Sequence, residues 1–136
     1  MNEMTLDKRM DYAARRKKEM NCCQAVLVAF ADKLGKSEDD LLRLGSGFGA
    51  GMGTMEGTCG ALVGAIMVSS LLSAKDEAMK NSRAIMSHFK ELCGGATICR
   101  DLKGIETGKM LCSCEDCVRN AVRAAGEALK TRRVEQ

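Results

Sequence analysis

Eight cysteines, Cys22, Cys23, Cys59, Cys93, Cys99, Cys112, Cys114 and Cys117, are the side chains of this 136-residue sequence with most chemistry to offer. A thiolate binds metals, exchanges disulfides and carries redox change, whereas a buried thiol is a small apolar filler. The surroundings of each sulfur decide its use. Cys112-Ser113-Cys114-Glu115-Asp116-Cys117 contains both a C-x-C and a C-x-x-C, spacings that suit a metal ion or a reversible disulfide. This is a single knuckle, so zinc there would have to recruit Cys99, Cys59 or Cys22 from far along the chain. The plainer alternative is a cysteine-rich turn with idle thiols. Cys23 and Cys93 read as small core residues. His88, the only histidine, lies at the edge of a helical stripe bounded by Ile85 and Phe89 and reads as packing, not ligation. The ten methionines are dispersed over several helices, which suits core filling and not a copper site.

The elements that must position these sulfurs are helical. Apolar residues make up 46% of the chain, yet Phe30, Phe48, Phe89 and Tyr12 are its only aromatics and it has no tryptophan or proline. A core of Ala, Leu, Val, Ile and Met favours packed helices over a sandwich of strands. The expected fold is all-α, a single-domain bundle over 1–136 of about five to six helices, with a glycine-rich loop before the central one. A charged helix covers 5–20. Asn21 caps a second, 22–34, which Gly35 closes. Ser37, followed by Glu38-Asp39-Asp40, starts a short helix to Leu44. From about Thr58 to Ser73 the pattern is apolar nearly all round, the mark of a central helix, and Gly60 and Gly64 let another backbone approach it. Residues 75–93 carry the stripe Ala78, Ser82, Ile85, Phe89 and Leu92, ended by Gly94-Gly95. Thr97 is a candidate cap for a short turn, Ile98 to Lys103, closed by Gly104. After an irregular connector, 105–113, a last helix runs from about Glu115 to Thr131.

The loop itself, residues 45–60, holds seven glycines. Its glycines lack the Gly-x-Gly-x-x-Gly register, and the segment before it, Leu41 to Leu44, is better as helix than strand. Gly35-Lys36-Ser37 ends like a P-loop, but its first glycine position is Phe30. Nucleotide binding is therefore excluded, and room for a bound group remains as the loop's use.

Placed on this map, Cys22, Cys59, Cys99 and Cys114 all stand at helix starts. Unpaired N–H groups and the positive end of the helix dipole favour a thiolate there. If the starts converge, several low-pKa sulfurs share one apolar site and must bind a cation or cluster, share protons or pair. Gly51, Gly53 and Gly60 would then give room and backbone N–H groups beside the sulfurs.

The same residues carry a family resemblance. Asn21-Cys22-Cys23-Gln24-Ala25-Val26, Gly47-Phe48-Gly49-Ala50-Gly51-Met52-Gly53, Cys59-Gly60-Ala61-Leu62-Val63-Gly64, Ala96-Thr97-Ile98-Cys99-Arg100-Asp101-Leu102, and Cys114 with Val118 resemble the small proteins, described as redox-active, that are named for four cysteines around a Cys-Gly-Ala-x-x-Gly motif. The resemblance spans roughly 20–125. It implies a redox role for Cys22, Cys59, Cys99 and Cys114, without a substrate. Cys23, Cys93, Cys112 and Cys117 are additional to that pattern, so Cys23 is an alternate for Cys22, and Cys112 or Cys117 for Cys114.

Net charge is only +3, and the basic runs Arg15-Arg16-Lys17-Lys18 and Lys130-Thr131-Arg132-Arg133 have no interleaved aromatics, so they read as solvated helix faces and not a nucleic-acid surface. The N-terminus lacks an apolar signal region, and the stretch Ala61 to Ala74 is shorter than the roughly 20 residues of a membrane span. A cytoplasmic protein is expected, without membrane or nucleic-acid partners. An unidentified redox partner and a second copy of the chain are the partners left. Three readings stand at this level. The four cysteines bind a metal or iron–sulfur cluster, or they work as a metal-free thiol/disulfide pair, or they are core or zinc-bound in a structural module.

Overall fold

Local capping fixes most of the helix ends. Thr5 Oγ1 accepts from Lys8 N (3.2 Å) and opens α1, Leu6–Arg16. Asn21 and Gln24 form a reciprocal capping box, with Asn21 Oδ1 accepting from Gln24 N at 2.8 Å and Gln24 Oε1 accepting from Asn21 N at 3.0 Å. That box opens α2, Cys22–Ala29, which a break at Phe30 separates from α3, Ala31–Leu34. Gly35, left-handed at φ 65°, closes α3, and Ser37 caps α4, Glu38–Gly45, through a 3.1 Å bond from Asp40 N. The glycine loop winds into a π turn, Gly51–Met55, and leads to α5, Gly60–Leu72. Then come α6, Ala78–Leu92; α7, Cys99–Lys103, closed by left-handed Gly104; and α8, Cys114–Val134.

This computed structural model describes residues 4–134, the side chains of 131–134 excepted. Arg132 and Arg133 of the second basic run thus lie outside the described side chains. The fold is all-α, with more helices than the sequence pattern predicts: eight α-helices and a π turn among the described residues. One cause is the break at Phe30, where a tertiary contact replaces the expected continuation to Leu34. Arg9 of α1, 2% exposed, donates from Nη1 to Ala29 O (2.5 Å) and pairs with Asp32 Oδ1 (2.6 Å) and Oδ2 (3.1 Å, from Nη2). Its guanidinium also lies 4.8 Å from the centroid of the Phe30 ring. A buried cation at the carbonyl end of α2 is well placed against the helix dipole. Thr97 does not cap α7, since Ile98 holds that position without a side-chain bond.

The core is shared by α1, α2, α5, α6 and α8. α8 packs on α1, α2, α5 and α6, and α5 on α2, α6 and α8. A Cβ on Gly60 would strike Phe48 O, and one on Gly64 would lie 3.0 Å from Cys23 O, so the glycines of α5 do allow the α2 backbone close. α5 is central on that side only. Val63, Ile66, Met67 and Leu71, with Leu44 and Met86, line an open groove of about 490 Å³ on its outer side. Arg16, from the first basic run, is engaged by Glu38 across the α1–α4 junction, at 2.9 Å to each carboxylate oxygen. No helix among the described residues is long and apolar enough to cross a membrane.

Candidate functional site

The four cysteines at helix starts are held by different devices. Cys22 is the first residue of α2, behind Asn21, whose Nδ2 also donates to Gly45 O (3.2 Å) and so ties the glycine loop to this helix end. Cys59 is the N-cap of α5, and Cys99 is the first residue of α7. An isolated antiparallel bridge, Thr58 with Ile98, joins these two starts: Cys59 N donates to Thr97 O (2.7 Å) and Cys99 N to Gly57 O (3.0 Å). Cys114 opens α8, whose cap is Ser113, accepting from Asp116 N at 3.1 Å. Gly51, at φ 58°, stands directly against Cys99, where an added Cβ would lie 2.7 Å from the Cys99 Cβ. Gly60 faces the α2 backbone and Phe48, and nothing stands within 4 Å of the Cβ position at Gly53.

Charge interactions link these sulfurs to one half-buried cation, Lys103, one turn beyond Cys99 on α7. Its Nζ donates to Cys112 O (3.1 Å) and to Cys117 Sγ (3.5 Å), and it interacts with Cys114 and Cys59. Cys22 and Cys99 also feel its charge. Burial alone would lower the Lys103 pKa, but the surrounding sulfurs in their thiolate form more than reverse this and raise it, so the ammonium and the thiolates favour one another. Cys22 interacts with Cys59 and Cys114, and Cys99 with the same two. Cys23, fully buried, interacts with Cys22 and Cys59.

At Cys22, Cys59 and Cys99 the expected low-pKa thiolate is not found. Burial, then the neighbouring Cys59 and Cys114, pushes Cys22 up to about 12, and burial pushes Cys23 to about 12 as well. Cys59 is raised by its hydrogen bond with Cys117 and by burial, against the opposing pull of the Leu62 and Ala61 amides. At Cys117 the bond with Cys59 lowers the pKa, but the bond with Cys93 and burial outweigh it. Cys99 is raised too, chiefly by burial. Helix starts do favour thiolates, yet here water exclusion and sulfur crowding win. Without metal these are neutral thiols, and a bound cation must displace their protons.

A second grouping lies beside the first. The Sγ atoms of Cys93, Cys112 and Cys117 are all within 4.8 Å of one another, close enough to share a metal ion, and no three of Cys22, Cys59, Cys99 and Cys114 come as close. Cys93 ends α6 and Cys112 sits in the connector, which folds back so that Leu111 N and Cys112 N both donate to Leu102 O (2.9 and 3.1 Å). Cys93 is buried, as its core reading expects, but it also stands 3.4 Å from Cys112, sulfur to sulfur. No cysteine is in a disulfide.

Residues 20–128 match the model of the family described as "Putative redox-active protein (C_GCAxxG_C_C)". The chain belongs to this family. Among curated proteins and solved structures no match to the chain was found. In this C_GCAxxG_C_C member the resemblance seen in the sequence is thus shown, over a span three residues longer than 20–125. Sequence reasoning passed over Lys103 and Asn120, although both were within reach: Lys103 is four residues after Cys99 and Asn120 three after Cys117, so each shares a helix face with a cysteine. Nothing in the spacing of Cys93 and Cys112 signals their contact. His88 stays away from the sulfurs, its Nδ1 3.3 Å from Glu127 Oε1.

Proposed function

We propose that this chain is a redox protein in which Cys22, Cys59, Cys99 and Cys114 hold an iron–sulfur cluster or metal beside Lys103. One observation carries the reading: the Thr58–Ile98 bridge ties the start of α5, with Cys59, to that of α7, with Cys99, and Cys22 and Cys114 neighbour this pair beside the half-buried Lys103. The donor set fits the group, since soft thiolate ligands select iron–sulfur clusters, zinc or copper(I). Spacing favours the cluster. A tetrahedral ion with thiolate bonds of about 2.3 Å brings its sulfurs to about 3.8 Å from each other, whereas irons and sulfides stand between the ligands of a cluster. Bound there, a cluster would take up and release an electron. The ammonium of Lys103 would offset negative charge at the site, and the buried turn at Gly51 would limit water on the Cys99 side. Cys22 suits the first position better than Cys23, whose interactions do not include Lys103.

A metal-free dithiol is the second reading, supported by the Cys59–Cys117 hydrogen bond. In it two thiols lose two electrons and two protons to a partner disulfide as one S–S bond forms and the partner's is reduced. A working exchange thiol is exposed and acidic, and Cys59, 2% exposed and with a raised pKa, is neither. The test is iron and acid-labile sulfide analysis with a visible spectrum on protein purified without oxygen. Iron, sulfide and broad visible absorbance, all lost in Cys59→Ser and Cys22→Ser, are expected. Iron-free protein whose thiols disappear in pairs on mild oxidation would establish the second reading instead.

A further inference from the structure

We propose that Cys93, Cys112 and Cys117 form a second metal site, adjoining the family cysteines at Cys59 and suited to a single zinc ion. Their sulfurs already lie within 4.8 Å of one another, and closing to the roughly 3.8 Å of a tetrahedral thiolate ion needs only a small contraction. The site is dry, with exposures of 1%, 7% and 0%. Two nitrogen donors face the three sulfurs. Asn120 Nδ2 stands 3.3 Å from Cys93 Sγ and 3.7 Å from Cys112 Sγ, and Lys103 Nζ stands 3.5 Å from Cys117 Sγ. A thiolate accepts such bonds more strongly than a neutral thiol, so once a metal displaced the protons these donors would act as the outer shell that orients metal ligands.

Charge selects among the ions that thiolates bind. Three thiolates and a divalent ion leave one negative charge, close to the Lys103 ammonium that the family cysteines share, whereas copper(I) would leave two among apolar side chains. Calcium and magnesium are excluded by the absence of oxygen ligands in the trio. The three ligands come from the end of α6, the connector and the first turn of α8, so the ion would fasten the connector to both helices. A three-ligand site keeps one position open.

The test titrates reduced, metal-free, full-length protein with zinc against a chromogenic chelator and maps alkylated thiols by peptide mass. One bound zinc that shields Cys93, Cys112 and Cys117 is expected. Cys112→Ser should lose this ion and Cys22→Ser should keep it, while Asn120→Leu weakens zinc binding by about 10- to 100-fold. Zinc that leaves Cys93, Cys112 and Cys117 open to alkylation overturns the inference even if no variant folds, because the map uses the unaltered chain. So does unchanged zinc affinity in a folded Cys112→Ser. Iron and visible absorbance read the family cysteines, so either site can fail alone.

Discussion

Cys59 occupies the N-cap of α5, where the Ala61 and Leu62 amides favour a thiolate, yet burial and the bond to Cys117 raise its pKa. A neutral sulfur at such a place is set up for a ligand that brings its own positive charge, not for attack on a substrate. The glycine beside the neighbouring sulfur is equally constrained. Gly51→Ala would place a methyl 2.7 Å from the Cys99 Cβ and hold an alanine at φ 58°. We expect it to cost about 1–3 kcal/mol in urea unfolding and to lower bound metal per folded molecule. At the preceding position the logic reverses: Ala50 is already left-handed at φ 49°, so Ala50→Gly should leave stability unchanged or slightly higher.

At the scale of elements, what could be read in advance was local. The Asn21 and Ser37 caps and the glycine closures at 35 and 104 depend on residues a few positions apart, and each stands where the sequence puts it. Asn21→Ala should cost about 1 kcal/mol for the lost cap, and more because Asn21 Nδ2 also holds Gly45 O, as thermal unfolding would show. Features made by distant residues were hidden. Arg9 fixes the break after α2 from another helix, and Thr58 meets Ile98 across α5 and α6. The cysteines themselves were legible as types and as helix starts. Their pKa values were not, because burial depends on what packs over each sulfur, and the same limit concealed the Cys93–Cys112–Cys117 group.

For the whole molecule, the Arg9–Asp32 pair links α1 to the α2–α3 break and gives stability a pH dependence. The bond from Arg9 holds the Asp32 pKa below its ordinary 3.8. Its stabilising contribution is therefore complete above about pH 4 and lost as pH falls through the folded value. Asp32→Asn should flatten the acid limb of a stability–pH curve from urea unfolding and also lower stability at neutral pH, because the buried Arg9 guanidinium loses its carboxylate. The Thr58–Ile98 bridge bears on the molecule's opening motions. Since Cys59 N and Cys99 N are each tied to the other's strand of backbone, their amide protons become paired reporters in hydrogen exchange. Equal protection, lost together in Gly51→Ala, would mean that the site opens as one unit; unequal protection would mean that α7 can peel away from α5 on its own, giving the buried Cys59 and Cys99 a door to solvent that in the closed protein reaches only the half-buried Cys114.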